Sequence, residues 1–202
     1  MIQRRAVWCW SALLCLVPQS ASAHLVSTRF GELYSGILHP ILSLQHIVPW
    51  LGLGLLAGMQ KSESARRIPW QLPPAVMLGV LVGRVLPESG TVTVLNLLSF
   101  VAFGALVALA ARLNDWVLAS VTVLFGLSHG FANAAPELDG GRQLLYALGV
   151  GISAHVVITL STAAAHELSR RRQWGPVALR AAGSWIAAIG LIFGGFSLLG
   201  VS

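Results

Sequence analysis

From residue 24 onward the chain alternates between long apolar runs and short polar segments. Six runs have the length a membrane helix needs at about 1.5 Å rise per residue. They extend from Gly36 to Met59, Pro69 to Leu86, Thr91 to Ala111, Trp116 to Ala135, Leu144 to Ala165 and Pro176 to Leu199. The pattern predicts an all-α fold, a polytopic bundle of about six transmembrane helices forming one membrane domain over residues 24–202. No internal repeat or low-complexity segment interrupts it.

Ahead of these runs stand Arg4 and Arg5, an apolar stretch from Ala6 to Val17, and Ala21-Ser22-Ala23. A positive region, a short hydrophobic region and a small-x-small site are the parts of a cleavable signal peptide. The apolar stretch is too short to span a hydrocarbon core of about 30 Å comfortably. Residues 1–23 are therefore expected to be removed, leaving His24 as the first residue. Cys9 and Cys15 are the only cysteines and would leave with the signal. The mature chain would then hold neither a disulfide nor a thiolate metal ligand.

Composition removes several other classes. Of 202 residues 55% are hydrophobic and 10% charged, and the mean hydropathy is +0.75, whereas soluble domains are about a quarter charged. The net charge of +6 could suggest nucleic acid, but that requires a basic face with stacking aromatics. Here the basic residues fall between apolar runs. Lys61, Arg66, Arg67, Arg112, Arg170, Arg171, Arg172 and Arg180 belong to one side of the expected topology, against Arg29, Arg84 and Arg142 on the other. Basic residues accumulate on the cytoplasmic side. The expected location is a bacterial inner membrane, multi-pass, with both mature termini periplasmic. Trp70, Trp116 and Trp174 lie near expected helix ends, as interfacial anchors do.

Glycines at Gly52, Gly54, Gly58, Gly79, Gly83, Gly190, Gly194 and Gly195 have the small-residue spacings that let membrane helices approach closely. Polar side chains inside the runs carry more chemistry, because ionisable groups in a bilayer are costly and usually face a cavity or a partner. His39 and His46 are seven residues apart, which on one continuous helix puts them on a shared face with about 10 Å between them. His129 and Asn133 share a face at i and i+4, with Glu137 beyond them and His155 near the middle of the fifth run. By depth from outside the expected series is Glu137, then His39 and Asn133, then His46 and His129, then His155. Gln45 stands beside His46, and His24 would add an α-amine and an imidazole. His39, His46 and His129 are expected to face one cavity open to the exterior, with Leu53 on the lipid side.

Imidazole without thiolate and with few carboxylates suits nickel, cobalt, zinc or copper and suits magnesium or calcium poorly. The plainer alternative for each histidine is a hydrogen bond between helices, and for Asn133 and Gln45 it is packing.

At these residues the chain resembles the HupE/UreJ family, the nickel and cobalt permeases associated with hydrogenase and urease. That family has a signal peptide, a helix with His, five residues and Asp-His, and a later helix reading Phe-His-Gly-x-Ala/Val-His-Gly-x-Glu. The first pattern reads HPILSLQH here, keeping His39, Pro40 and His46, with Gln45 in place of Asp. PWLGLGLLAG continues it as in the family. The second reads SHGFANAAPE, keeping His129, Gly130 and Ala132. Ser128 replaces Phe, Asn133 the second His, Ala134 the Gly and Pro136 the Glu, with Glu137 one residue later.

The resemblance implies a six-helix permease for a divalent transition metal, nickel or cobalt first and copper after them, carried or bound rather than held as a prosthetic group. The metal set would be His39, His46, His129, His155, Glu137, Asn133, Gln45 and His24. Expected partners are the metal ion, the bilayer, and further copies of the chain or metalloenzyme maturation proteins. The other reading is a non-transporting accessory protein. No enzymatic activity is expected. Ser128 or Ser153 with His155 lacks the nucleophile turn and carboxylate of a hydrolase, and no phosphate-binding Gly-Lys-Ser/Thr loop occurs.

Overall fold

A computed structural model describes residues 24–60, 62–86 and 90–198. The expected signal segment lies outside the described residues, as does the side chain of His24. Among the described residues seven helices follow in order: α1 His24–Leu42, α2 Leu44–Met59, α3 Ser62–Val85, α4 Gly90–Ala108, α5 Asp115–Ala132, α6 Gly140–Arg171 and α7 Gly175–Leu198. The described residues contain no strand. Helices α3 to α7 are each long and apolar enough to cross a membrane, and α1 with α2 makes a sixth span if the bent pair counts as one. The protein is a polytopic helical membrane protein.

The first apolar run is not the continuous helix its composition predicts, because α1 and α2 meet at a 74° bend. Pro40 has no N–H for the Gly36 carbonyl, and Pro49 has none for that of Gln45, which weakens the helix on both sides of the break. Ser43 leaves the helix with φ −99° and ψ 115°. Its carbonyl then starts α2 by accepting from the N–H groups of His46 and Ile47, both at 3.0 Å. A second break stands at Gly31, whose φ of 73° is open to glycine at little steric cost.

Helix α2 is the axis of the bundle. Trp50, Leu53, Leu56 and Ala57 have 0% exposure, so Leu53 faces protein and not lipid. The reason is position: α2 packs on α6 and α4, with α3, α5 and α7 also in contact, and its exposed positions are confined to Leu44, Gln45 and Leu51. The other main pairings are α3 with α5, α4 with α7, and α6 with α1 and α3. Leu98, Leu124, Leu160 and Leu191 are exposed on the outer faces, as a lipid-facing surface requires.

Glycine sets the tightest contacts. A β-carbon on Gly130 of α5 would collide with the Val76 carbonyl of α3, and one on Gly79 with the Leu127 carbonyl. Gly54 and Gly58 bring α2 equally close to α6 at Ser161 and Thr162. Gly194 and Gly195 depart from the packing expectation, since a β-carbon there meets nothing within 4 Å. Gly130→Ala is expected to destabilise the bundle by about 1–3 kcal/mol through overpacking. Lower membrane abundance and earlier thermal unfolding in detergent would report it, while Gly194→Ala should change neither.

The basic end of the bundle is tied by side chains that satisfy orphan helix-end carbonyls. Gln60 donates from Nε2 to Leu56 O and Ala111 O, each at 3.0 Å, and accepts from the Leu113 N–H at 3.0 Å. Arg112 donates to Met59 O, and Arg180 Nε to Ala108 O at 2.8 Å. At the opposite end Arg142 pairs with Glu32 at 2.7 Å, joining α6 to α1.

Candidate functional site

The break between α1 and α2 determines where the imidazoles stand. His39 lies in the last turn of α1 and His46 in the first turn of α2, so the bend, and not a shared helical face, brings their ring centroids to 5.7 Å. His129, in the last turn of α5, stands 6.1 Å from His46 with the rings nearly perpendicular at 81°. The three rings form a bent row from α1 through α2 to α5. Tyr146 of α6 flanks the outer member, 6.3 Å from His39. Gly36 and Gly149 permit this approach, since a β-carbon on either would strike backbone of the partner helix.

Burial deepens along the row. His39 is half-buried, whereas His46 is 7% and His129 0% exposed. The expected open cavity is therefore closed at its two inner members. His129 is held between Phe125, at 4.2 Å centroid to centroid, and Ser99 of α4. Ser99 Oγ lies 2.6 Å from Asn96 O and 3.0 Å from His129 Nε2. A carbonyl only accepts, so the hydroxyl donates to Asn96 and its oxygen accepts from His129 Nε2–H. That leaves His129 Nδ1 as the basic nitrogen, and it is buried without a hydrogen-bond partner. His46 Nδ1 is likewise buried and unpartnered. Buried polar atoms are usually satisfied, so two bare imidazole nitrogens in adjacent rings are a mark of chemistry.

The remaining sequence candidates divide. Asn133 caps α5, donating from Nδ2 to His129 O at 2.8 Å, and its Oδ1 is a further buried, unpartnered acceptor. Glu137 is exposed in the α5–α6 connection. Gln45 is exposed although its neighbour His46 is buried.

His155 stands apart from the row. It is nine residues past Tyr146 on α6, about 14 Å along the axis and on the opposite face. Its Nδ1 donates to Pro69 O at 2.8 Å, and Trp70 lies 5.0 Å from its ring. The physical reason is local. Pro69 O would bond the N–H of residue 73, but that residue is Pro73 and has none. His155 thus satisfies a carbonyl orphaned by proline, and the depth series ends at His129.

Three polar residues of this region escape a reading centred on histidine. They are Ser99, which orients His129, Asn96, which holds Ser99 and donates to Ser128 O at 3.3 Å, and Gln143, 2% exposed with both amide atoms unpartnered. Each is a polar side chain within an apolar run, the signal that drew attention to the histidines. Among the described residues, no three His, Cys, Asp or Glu side chains are grouped closely enough to hold one metal ion. The row offers successive pairs instead.

The serines weighed for hydrolysis are otherwise engaged. Ser128 Oγ donates to Phe125 O and Ser153 Oγ to Val150 O, both at 3.1 Å. Ser99 does touch a histidine, but its proton is directed at Asn96, opposite to the direction that would activate it.

No curated protein and no solved structure matches the chain. The family model described as HupE / UreJ protein matches residues 12–193. With that match over most of its length, and with a helical membrane bundle that brings His39, His46 and His129 into one row, the chain belongs to the HupE/UreJ family.

Proposed function

We propose that the protein is a secondary permease of a bacterial inner membrane that passes a divalent late transition-metal cation, nickel or cobalt first, from the periplasm along His39, His46 and His129. The observation that carries this reading is the pair of bare Nδ1 atoms on His46 and His129 in adjacent buried rings. Imidazole nitrogen is a good ligand for these ions, and conduction needs sites strong enough to admit an ion yet weak enough to release it. A row of two-imidazole stations meets that requirement better than a closed site with three or four ligands. Metal accumulation in cells with and without the protein, across nickel, cobalt, copper and zinc, tests it. Equal accumulation of all four metals in both strains would sink the proposal.

The absence of a three-ligand group among the described residues favours a second reading, a non-transporting accessory protein in which the row packs helices together. The two readings differ in what replacing the basic nitrogen of His129 does to metal accumulation per molecule.

The direction of transport follows from the proposed orientation. The Arg170–Arg172 end is cytoplasmic and the Glu32–Arg142 end periplasmic, as the distribution of basic residues favours. Reporter fusions should place Arg171 inside and Ser202 outside. A cytoplasmic Ser202 would reverse the orientation or change the span count.

A further inference from the structure

Helices α3 and α6 leave a groove of about 570 Å³ between them at the basic end of the bundle. It has no part in the imidazole row. Its floor is Ala65, Pro69 and Ala163, its outer wall is Trp70, and Arg66 and His166 stand at its rim. Trp70 is 74% exposed although its ring lies against that of His155, and the neighbouring α6 positions Val156 and Leu160 are exposed as well. The groove therefore opens sideways, toward the surface that faces lipid.

Apart from His155 and His166, its polar groups have no partner among the described residues. Arg66 makes no ion pair or hydrogen bond to a described residue, although Glu63 stands one turn away. Arg170 approaches from α6, donating from NH1 to His166 Nε2 at 3.4 Å, and finds no carboxylate there because Glu167 is paired with Arg171 at 3.0 Å. Deeper in, Thr159 Oγ1 and Thr162 Oγ1 are buried without a hydrogen-bond partner. From rim to floor the groove offers the Arg66 guanidinium, with Arg170 behind His166, then the Thr159 and Thr162 positions, then apolar wall.

We propose that this groove binds an anionic phospholipid of the surrounding membrane. The order of its groups matches the order of groups along a phospholipid: phosphate at Arg66, with Arg170 behind His166, the ester region at the level of Thr159 and Thr162, and an acyl chain along Trp70. Basic pockets between membrane helices on the positively charged side recognise anionic headgroups in this way, and the volume is that of a ligand site. The lateral opening selects a molecule that arrives within the bilayer. The bound lipid would also lie over the His155–Pro69 bond and seal the proline-weakened start of α3. This assignment is independent of metal transport.

Native mass spectrometry of the purified full chain tests it, in micelles doped equally with palmitoyl-oleoyl phosphatidylglycerol and phosphatidylcholine. The phosphatidylglycerol adduct should predominate. Arg66→Gln with Arg170→Gln should reduce that predominance by about tenfold. Arg84→Gln, at the other end of α3, should change nothing, and thermal unfolding of each variant in detergent should remain at the wild-type temperature. Equal retention of the two lipids by the wild type would overturn the proposal, and so would equal losses from Arg84→Gln and the groove variant.

Discussion

His129→Gln is expected to lower metal accumulation by about a hundredfold while leaving the amount of protein in the membrane close to wild type. Glutamine keeps most of the volume and can still donate to Ser99 Oγ, so the packing between Phe125, Ser99 and the buried wall is preserved. It lacks the basic Nδ1. A row that only packs helices together would tolerate this change, whereas a row that passes a metal would not. Ser99→Ala separates the two roles from the other side. Without Ser99 Oγ as acceptor, Nε2 no longer has a partner to hold the proton there, and the Nδ1 lone pair loses its guarantee. Removing the group that orients a metal-binding imidazole typically costs about 10–100-fold, so Ser99→Ala should lower accumulation by roughly tenfold at unchanged abundance. His155→Ala should behave in the opposite manner. It strands the Pro69 carbonyl, at a cost of about 1–3 kcal/mol, and should lower abundance while each remaining molecule transports normally. If His129→Gln left accumulation per molecule at the wild-type level, the accessory reading would replace the permease.

The contrast between His129 and His155 also marks where the sequence stops being readable. Helix number and approximate limits follow from hydropathy because a bilayer demands internally satisfied backbone over a set length. Five of the six expected runs correspond to single helices whose ends differ by a few residues, apart from the N-terminal extension of α3 and the extensions of α6. The first run failed as a continuous helix although Pro40 and Pro49 were visible in it. Proline in a membrane helix can produce anything from a slight kink to a full break, and the outcome depends on the neighbours. Here α6 takes α1 at Gly36 while α2 turns into the centre of the bundle. His155 was indistinguishable from the other intramembrane histidines because its partner is a carbonyl 86 positions away on α3, and which helices are neighbours is a tertiary fact. Leu53 was misassigned to lipid for the same reason: hydrophobicity alone cannot tell the axis of a membrane bundle from its surface. Ser99, Asn96 and Gln143 were present as polar residues in apolar runs, and only their hydrogen bonds, or the lack of them, set them apart.

Asn133→His is expected to raise nickel or cobalt accumulation at sub-saturating metal by about tenfold, equivalent to roughly 1.4 kcal/mol of added binding. Asn133 is 1% exposed, its Oδ1 has no partner, and its backbone N–H bonds His129 O at 3.1 Å. An imidazole there adds a stronger nitrogen ligand one turn beyond His129, at the position where the family pattern has its second histidine. The change also removes the Nδ2 bond to His129 O and places another polar ring in the membrane, so abundance should fall modestly. Gln45→Asp, the other reversion to the family pattern, should do less alone. Gln45 is exposed on the bundle surface, and where that surface meets water a carboxylate is screened by salt; there it should speed capture at low ionic strength and lose that advantage near 0.15 M, where the Debye length is about 8 Å. Combined, the two changes should exceed Asn133→His at low salt and match it at high salt. Folded single and double variants that accumulate all four metals as the wild type does would show that the end of α5 is not on the path, and would leave His39 and His46 without a continuation.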